Sequence, residues 1–134
     1  MIEYRDTVEG IEAGQLTGFF VDLPKPPSPE AHLRLLTKSS HVVIAVDAGT
    51  EQAVGFVSAI SDGVLSAYIP LLEVLPEYRK RGIGTELVRR MMVQLADLYM
   101  VDLMCDADLQ EFYQRFGMQP AHGMIARNYK RQAG

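Results

Sequence analysis

The chain carries a single cysteine, Cys105, so no internal disulfide can staple it. No stretch approaches the roughly eighteen consecutive apolar residues of a membrane span. No N-terminal apolar run ends in a cleavage site either, so a soluble cytoplasmic protein is the expectation. The three histidines, His32, His41 and His122, show no ligand spacing, and none forms a nucleophile arrangement with Cys105; no metal is expected. Positive charge is not in excess. The net charge is −4, and the one basic cluster, Arg79 to Arg81, is surrounded by Glu73, Glu77 and Glu86, which argues against nucleic acid. Repeats, low-complexity tracts and interdomain linkers are absent, and the proline-rich stretch from Leu23 to Pro29 is too short to separate two cores. A length of 134 residues at 48% hydrophobic content fits one domain, residues 1–134, with a core of its own.

What the chain does have is concentrated in Val74-Leu75-Pro76-Glu77-Tyr78-Arg79-Lys80-Arg81-Gly82-Ile83-Gly84-Thr85. An apolar strand passes through a basic, glycine-bearing turn directly into a long amphipathic helix. Amides at a helix N-terminus lack intrahelical partners and sit at the positive end of the helix dipole, so an anion finds donors and field together. Gly82 and Gly84 keep the approach free of Cβ atoms, while Arg79, Lys80 and Arg81 supply cationic cover. The segment is not a P-loop, which needs Gly-Lys-Ser/Thr after four spacers. Nor is it a dinucleotide fingerprint, whose third small residue would fall on Leu87. A pyrophosphate held over Lys80, Arg81, Gly82, Ile83, Gly84 and Thr85 is the ligand chemistry that fits; a solvated charge cluster is the competing explanation for the cations alone.

Hydrophobic periodicity places this turn among the other elements. Ile2 to Arg5 reads as a first strand, and Val8, Ile11, Leu16, Phe19 and Phe20 as a loose helical face. Ser28 before Pro29 is a helix start, predicting a helix to about Lys38. Val42 to Val46 and Val54 to Ile60 read as strands joined by a turn over Asp47 to Gln52. A turn at Ser61-Asp62-Gly63 then leads into a third long strand, Leu65 to Leu75. Ile83, Leu87, Met91, Leu95 and Leu98 give the strongest helix, followed by a buried strand at Tyr99 to Met104. Leu109, Phe112, Tyr113 and Phe116 share one face of a short helix capped by Asp106 or Asp108 and closed by Gly117. A terminal hairpin is expected over Met118 to Tyr129, and an exposed hairpin there is compatible with a homodimer. The order predicts a mixed α/β layered fold.

Arg79-x-x-Gly82-x-Gly84 after Val74-x-Pro76 resembles motif A of the GNAT N-acetyltransferases. Downstream, Phe112-Tyr113-Gln114-Arg115-Phe116-Gly117-Met118 is similar to that family's Phe-Tyr-x-x-x-Gly-Phe signature. The resemblance runs from Val54 to Met118. It implies a central mixed, mostly antiparallel sheet with a splayed strand pair and about four flanking helices. It also implies acetyl-CoA as co-substrate and transfer of the acetyl group to an amine acceptor in a ternary complex. Main-chain groups of Leu72 and Val74 at a bulged strand end would hold the pantetheine arm, with the Val74 N–H facing the thioester oxygen. Asp106 stands where the family often has Asn near the cofactor, Leu109 replaces a small residue, and Met118 replaces the usual aromatic.

Such a transfer needs a held cofactor, a polarised carbonyl, a neutral amine and a proton for the departing thiolate. Tyr113 is the candidate acid: a thiol near ~8.5 and a phenol near ~10 differ little in pKa. Its place on an apolar helix face by itself points to a packing role, and it is the resemblance that implies the acid. An alkylammonium near ~10.4 must lose a proton before attack, and Glu73 is the nearest candidate base, with Asp106 as the other acid in reach. Tyr68 and the Leu23 to Pro29 loop are candidates to shape the acceptor side. The acceptor itself stays open among protein termini, lysines, polyamines, aminoglycosides and other small amines. The alternative in a different class is a non-catalytic acyl-CoA-binding module.

Overall fold

A computed structural model describes every residue from Met1 to Gly134. Five strands form one sheet in chain order: β1 (Ile2–Arg5), β2 (His41–Asp47), β3 (Ala53–Ser61), β4 (Ser66–Val74) and β5 (Met100–Leu103). The first four pair antiparallel, and β5 lies parallel to β4. That parallel step requires a crossover, supplied by helix α2 (Ile83–Gln94). Helix α1 (Pro29–Lys38) precedes β2, and the short α3 (Gln110–Gln114) follows β5 after a single 3-10 turn at Ala107–Leu109.

The two faces of the sheet can be told apart by their contacts. Gly55 faces α2, since a Cβ there would meet Leu87 and Ile83 at 3.1 and 3.3 Å. Phe56, its neighbour in β3, points the other way and touches the ring of His32 in α1 at 4.4 Å between centroids. With both faces covered, β2 and β3 read as continuous apolar runs, and Val43, Ile44, Ala45 and Val46 are wholly buried. Helix α1 starts as its sequence dictates: Pro29 occupies the first turn and the Ser28 hydroxyl accepts from the Ala31 amide at 3.1 Å.

Several expectations are corrected. The segment from Val8 to Phe20 contains only a 3-10 turn at Ala13–Gln15, yet Ile11, Leu16, Phe19 and Phe20 are buried. Its apolar spacing reflects draping over the sheet, and Gly10 and Gly18, at φ 78° and 90°, break any helix. The sheet is therefore flanked by three α-helices and not four. Helix α2 ends at Gln94, before Leu95 and Leu98. Strand β5, expected to be buried, is the edge of the sheet and alternates exposed and half-buried residues. Met118 to Asn128 forms no strand, and Met124 is 98% exposed.

Candidate active site

The site begins with a break in the sheet. Between β3 and β4 the register passes from Ser58 opposite Leu71 to Ile60 opposite Tyr68, so Ile69 and Pro70 together face Ala59. This is a bulge, and it reverses which alternate residues of β4 address β3. Beyond it the Leu75 amide donates to the Val54 carbonyl at 2.8 Å. By alternation Leu72 and Val74 turn their main-chain groups to the opposite side. On that side β5 would be the partner, but its pairing with β4 stops at Ile69 and Leu103. Pro70 has no N–H to continue the ladder. The splay therefore starts at Pro70, ahead of the Leu72 and Val74 strand end at which the resemblance places the bulge. A proline inside a long strand run was the available signal.

The basic turn follows. After a 3-10 turn at Pro76–Tyr78, Lys80 and Gly82 both take the left-handed conformation, at φ 64° and 81°, and Gly82 is the N-cap of α2. None of the amides of Lys80, Arg81, Gly82, Ile83, Gly84 and Thr85 donates to a protein acceptor; the first helical bond runs from the Glu86 amide to the Gly82 carbonyl at 3.1 Å. The three cations are not equivalent. The Arg79 Nε donates to the Val74 carbonyl at 3.1 Å, and Arg81 stacks 4.9 Å from the centroid of Tyr78. Tyr78 in turn donates to Asp47 at 2.7 Å, which anchors the turn to the end of β2 and holds the Asp47 carboxyl below its usual range. Lys80 is exposed and makes no such contact.

Glu73 lies on the α1 face of β4, opposite Phe56. Both its carboxylate oxygens accept from the Phe20 amide, at 2.9 and 3.0 Å. Burial pushes the Glu73 carboxyl above its ordinary value, against the lowering effects of the Phe20 amide and the Arg79 charge; Asp22 raises it further. Phe20 sits at φ 63°, a strained conformation for a bulky residue. Nothing in the sequence singled out that amide.

The two sequence motifs meet in space. A Cβ on Gly84 would lie 3.9 Å from the Val74 side chain and 4.0 Å from the Phe112 ring, so the end of β4, the start of α2 and α3 converge at one point. Tyr113, next on α3, is 9% exposed. Burial pushes its phenol up, with a smaller push from Cys105. Gly117 closes the segment at φ 83° as expected. Asp106 heads the 3-10 turn before α3 through its carbonyl, which accepts from Leu109 at 2.9 Å, but its side chain makes no capping bond and is exposed. Tyr68 is 39% exposed on β4, across from Asp102 of β5. The Leu23 to Pro29 loop is tied to the C-terminal tail by the Lys25 amide, which donates to Gln132 at 3.0 Å.

Residues 9–118 match the model of the acetyltransferase (GNAT) family. The chain belongs to the GNAT acetyltransferases. Membership makes it an acyltransferase with acetyl-CoA as co-substrate. A candidate acetyltransferase from Deinococcus radiodurans R1 is 47% identical and superposes with a TM-score of 0.96, over 99% of this chain and 92% of that one. The fold alone is shared with glucosamine-6-phosphate N-acetyltransferase from Arabidopsis thaliana, at 14% identity and a TM-score of 0.71 over 96% and 98% of the chains. It is likewise shared with an aminoglycoside N-acetyltransferase in complex with CoA, at 18% identity and a TM-score of 0.65 over 96% and 94%. No curated protein matches the sequence.

Proposed function

We propose that this GNAT acetyltransferase moves the acetyl group of acetyl-CoA to a primary amine by direct attack in a ternary complex. The observation that carries the cofactor half is the run of free amides from Lys80 to Thr85, at the N-terminus of α2 and beside the unpaired edge of β4. These amides, with Lys80 and the held guanidinium groups of Arg79 and Arg81, bind the pyrophosphate. Leu72 and Val74 offer main-chain donors and acceptors to the pantetheine arm, and the Val74 N–H stabilises charge on the thioester oxygen. Asp106 contributes at the adjoining wall.

The amine nitrogen attacks the thioester carbonyl carbon; a C–N bond forms and the C–S bond breaks. Glu73, directly or through water, takes the proton that the ammonium must lose. A carboxyl raised by burial is closer in pKa to an amine than an exposed one, which eases that transfer. Tyr113, kept protonated by its burial, gives a proton to the departing thiolate, and the second proton that the nitrogen sheds in becoming an amide returns to the phenolate. Asp22 adds a second negative charge beside Glu73. That field favours a cationic amine.

Thiol release measured over a panel of amines tests the activity, and Tyr113→Phe tests the acid. The variant keeps ring and packing. Turnover is expected to fall about 10²-fold or more with acetyl-CoA binding preserved. A fully active, stable Phe variant removes Tyr113 from the mechanism and leaves the thiolate to be protonated by solvent.

A further inference from the structure

His32 is 1% exposed, and neither ring nitrogen has a hydrogen-bond partner within the protein. Buried polar atoms without partners are rare and cost stability, so their retention calls for a reason. The imidazole is enclosed edge-on by three phenyl rings: Phe56 at 4.4 Å, Phe20 at 4.9 Å and Phe19 at 5.2 Å between centroids. Phe20 is also the strained residue whose amide binds both oxygens of Glu73. A left-handed phenylalanine persists only where its surroundings over-determine it. Here the ring lies between His32 and Phe56, at 4.9 and 6.0 Å between centroids, and those contacts fix the side of the main chain that its amide faces.

We infer that His32 and Phe20 are positioning residues for Glu73: the aromatic cage around His32 holds Phe20 in its left-handed conformation, which aims its amide at the carboxylate. The inference rests on Glu73 as the base of the proposed reaction for its catalytic meaning, but the positioning itself is a property of the carboxyl group. The charged and titratable groups facing Glu73 are Arg79 from the turn, Asp22 from the loop after Phe20, and His32 behind the Phe20 ring. Burial holds the imidazole neutral, with its pKa lowered to about 4, so at neutral pH it acts by shape and not by charge. Loss of the Phe20 amide removes a donor that favours the ionised carboxylate, and the Glu73 titration then moves upward.

The test uses carboxyl-labelled glutamate in the full chain, with the Glu73 signal assigned by its disappearance in Glu73→Gln. His32→Ala opens the cage. The Glu73 midpoint is expected to move to higher pH, and turnover at neutral pH to fall about tenfold because the carboxylate is no longer held in place, the scale of one hydrogen bond to a charged group. His32→Phe refills the cage without a titratable group and is expected to restore the wild-type midpoint. Should His32→Ala not fold, Phe20→Leu loosens the same ring contact and gives the same readout. An unchanged midpoint in a folded His32→Ala or Phe20→Leu protein overturns the proposal, as does a midpoint still displaced in His32→Phe. If the carboxyl midpoint moves while the pH–rate profile does not, the positioning stands and it is Glu73 as base that fails.

Discussion

Burial of the Glu73 carboxyl makes the stability of the fold depend on pH. Its folded pKa is raised, chiefly by burial, so the native state binds its proton more tightly than the unfolded chain does. The stabilisation from this group is fully present below its unfolded pKa, near 4.5, and is lost as pH rises through the folded value. Glu73→Gln removes the titration. The difference in unfolding free energy, variant minus wild type, is therefore expected to grow in favour of the variant as pH climbs through that window. Denaturant melts at several pH values measure it, and a pH-independent difference would show that burial does not govern this carboxyl. The amide that binds Glu73 could not be anticipated, because left-handed phenylalanine has no sequence signature. The same holds for Lys80, at φ 64° without a glycine's freedom. Gly82, at φ 81°, was legible, since a glycine before an apolar helical run is a familiar way into such a turn.

At the scale of elements, strand β4 does two jobs and Pro70 separates them. Before it, β4 is an ordinary central strand between β3 and β5; after it, one edge is free. Pro70→Ala restores an N–H on the side facing β5. The expected outcome is weaker acetyl-CoA binding by calorimetry, with the thermal stability of the free protein retained or slightly raised, because the ladder can extend into the splay. Unchanged affinity would mean that the following residues of β5, and not the proline, keep the strands apart. Helix α1 and strands β2 to β4 were legible to within a residue or so, since capping and burial on both faces leave clear periodicities. The expected N-terminal helix and C-terminal hairpin were not formed. The first packs its apolar residues on the sheet without a regular period, and the second leaves Met124, Ile125 and Tyr129 exposed, so neither period of 3.6 nor of 2 applies.

For the whole molecule, acetyl-CoA is expected to raise the melting temperature, since a ligand selective for the folded state stabilises it by about 2.7 kcal/mol at a concentration one hundred times its Kd. Gly84→Val separates cradle from fold. The protein can accept a Cβ at Gly84, where its neighbours would stand 3.9 and 4.0 Å away, but branches beyond it would crowd the junction of Val74, Phe112 and the free amides. The variant should stay folded and lose most of the acetyl-CoA shift; an undiminished shift removes Gly84 from the cradle. The sequence by itself determined the mixed α/β class, the basic, glycine-bearing turn after β4 that leads into α2, and the pairing of two motifs that marks the family. These are local chemistry: strand, glycine turn and helix start follow one another along the chain, and short-range sterics and free amides define them. Tertiary structure alone decided where the sheet opens, which amide meets Glu73, and that Gly84 lies against Phe112. Each of these joins residues far apart in the chain, and the register of β4 against β3 and β5 and the packing of His32 among three rings fix them only once the core has formed.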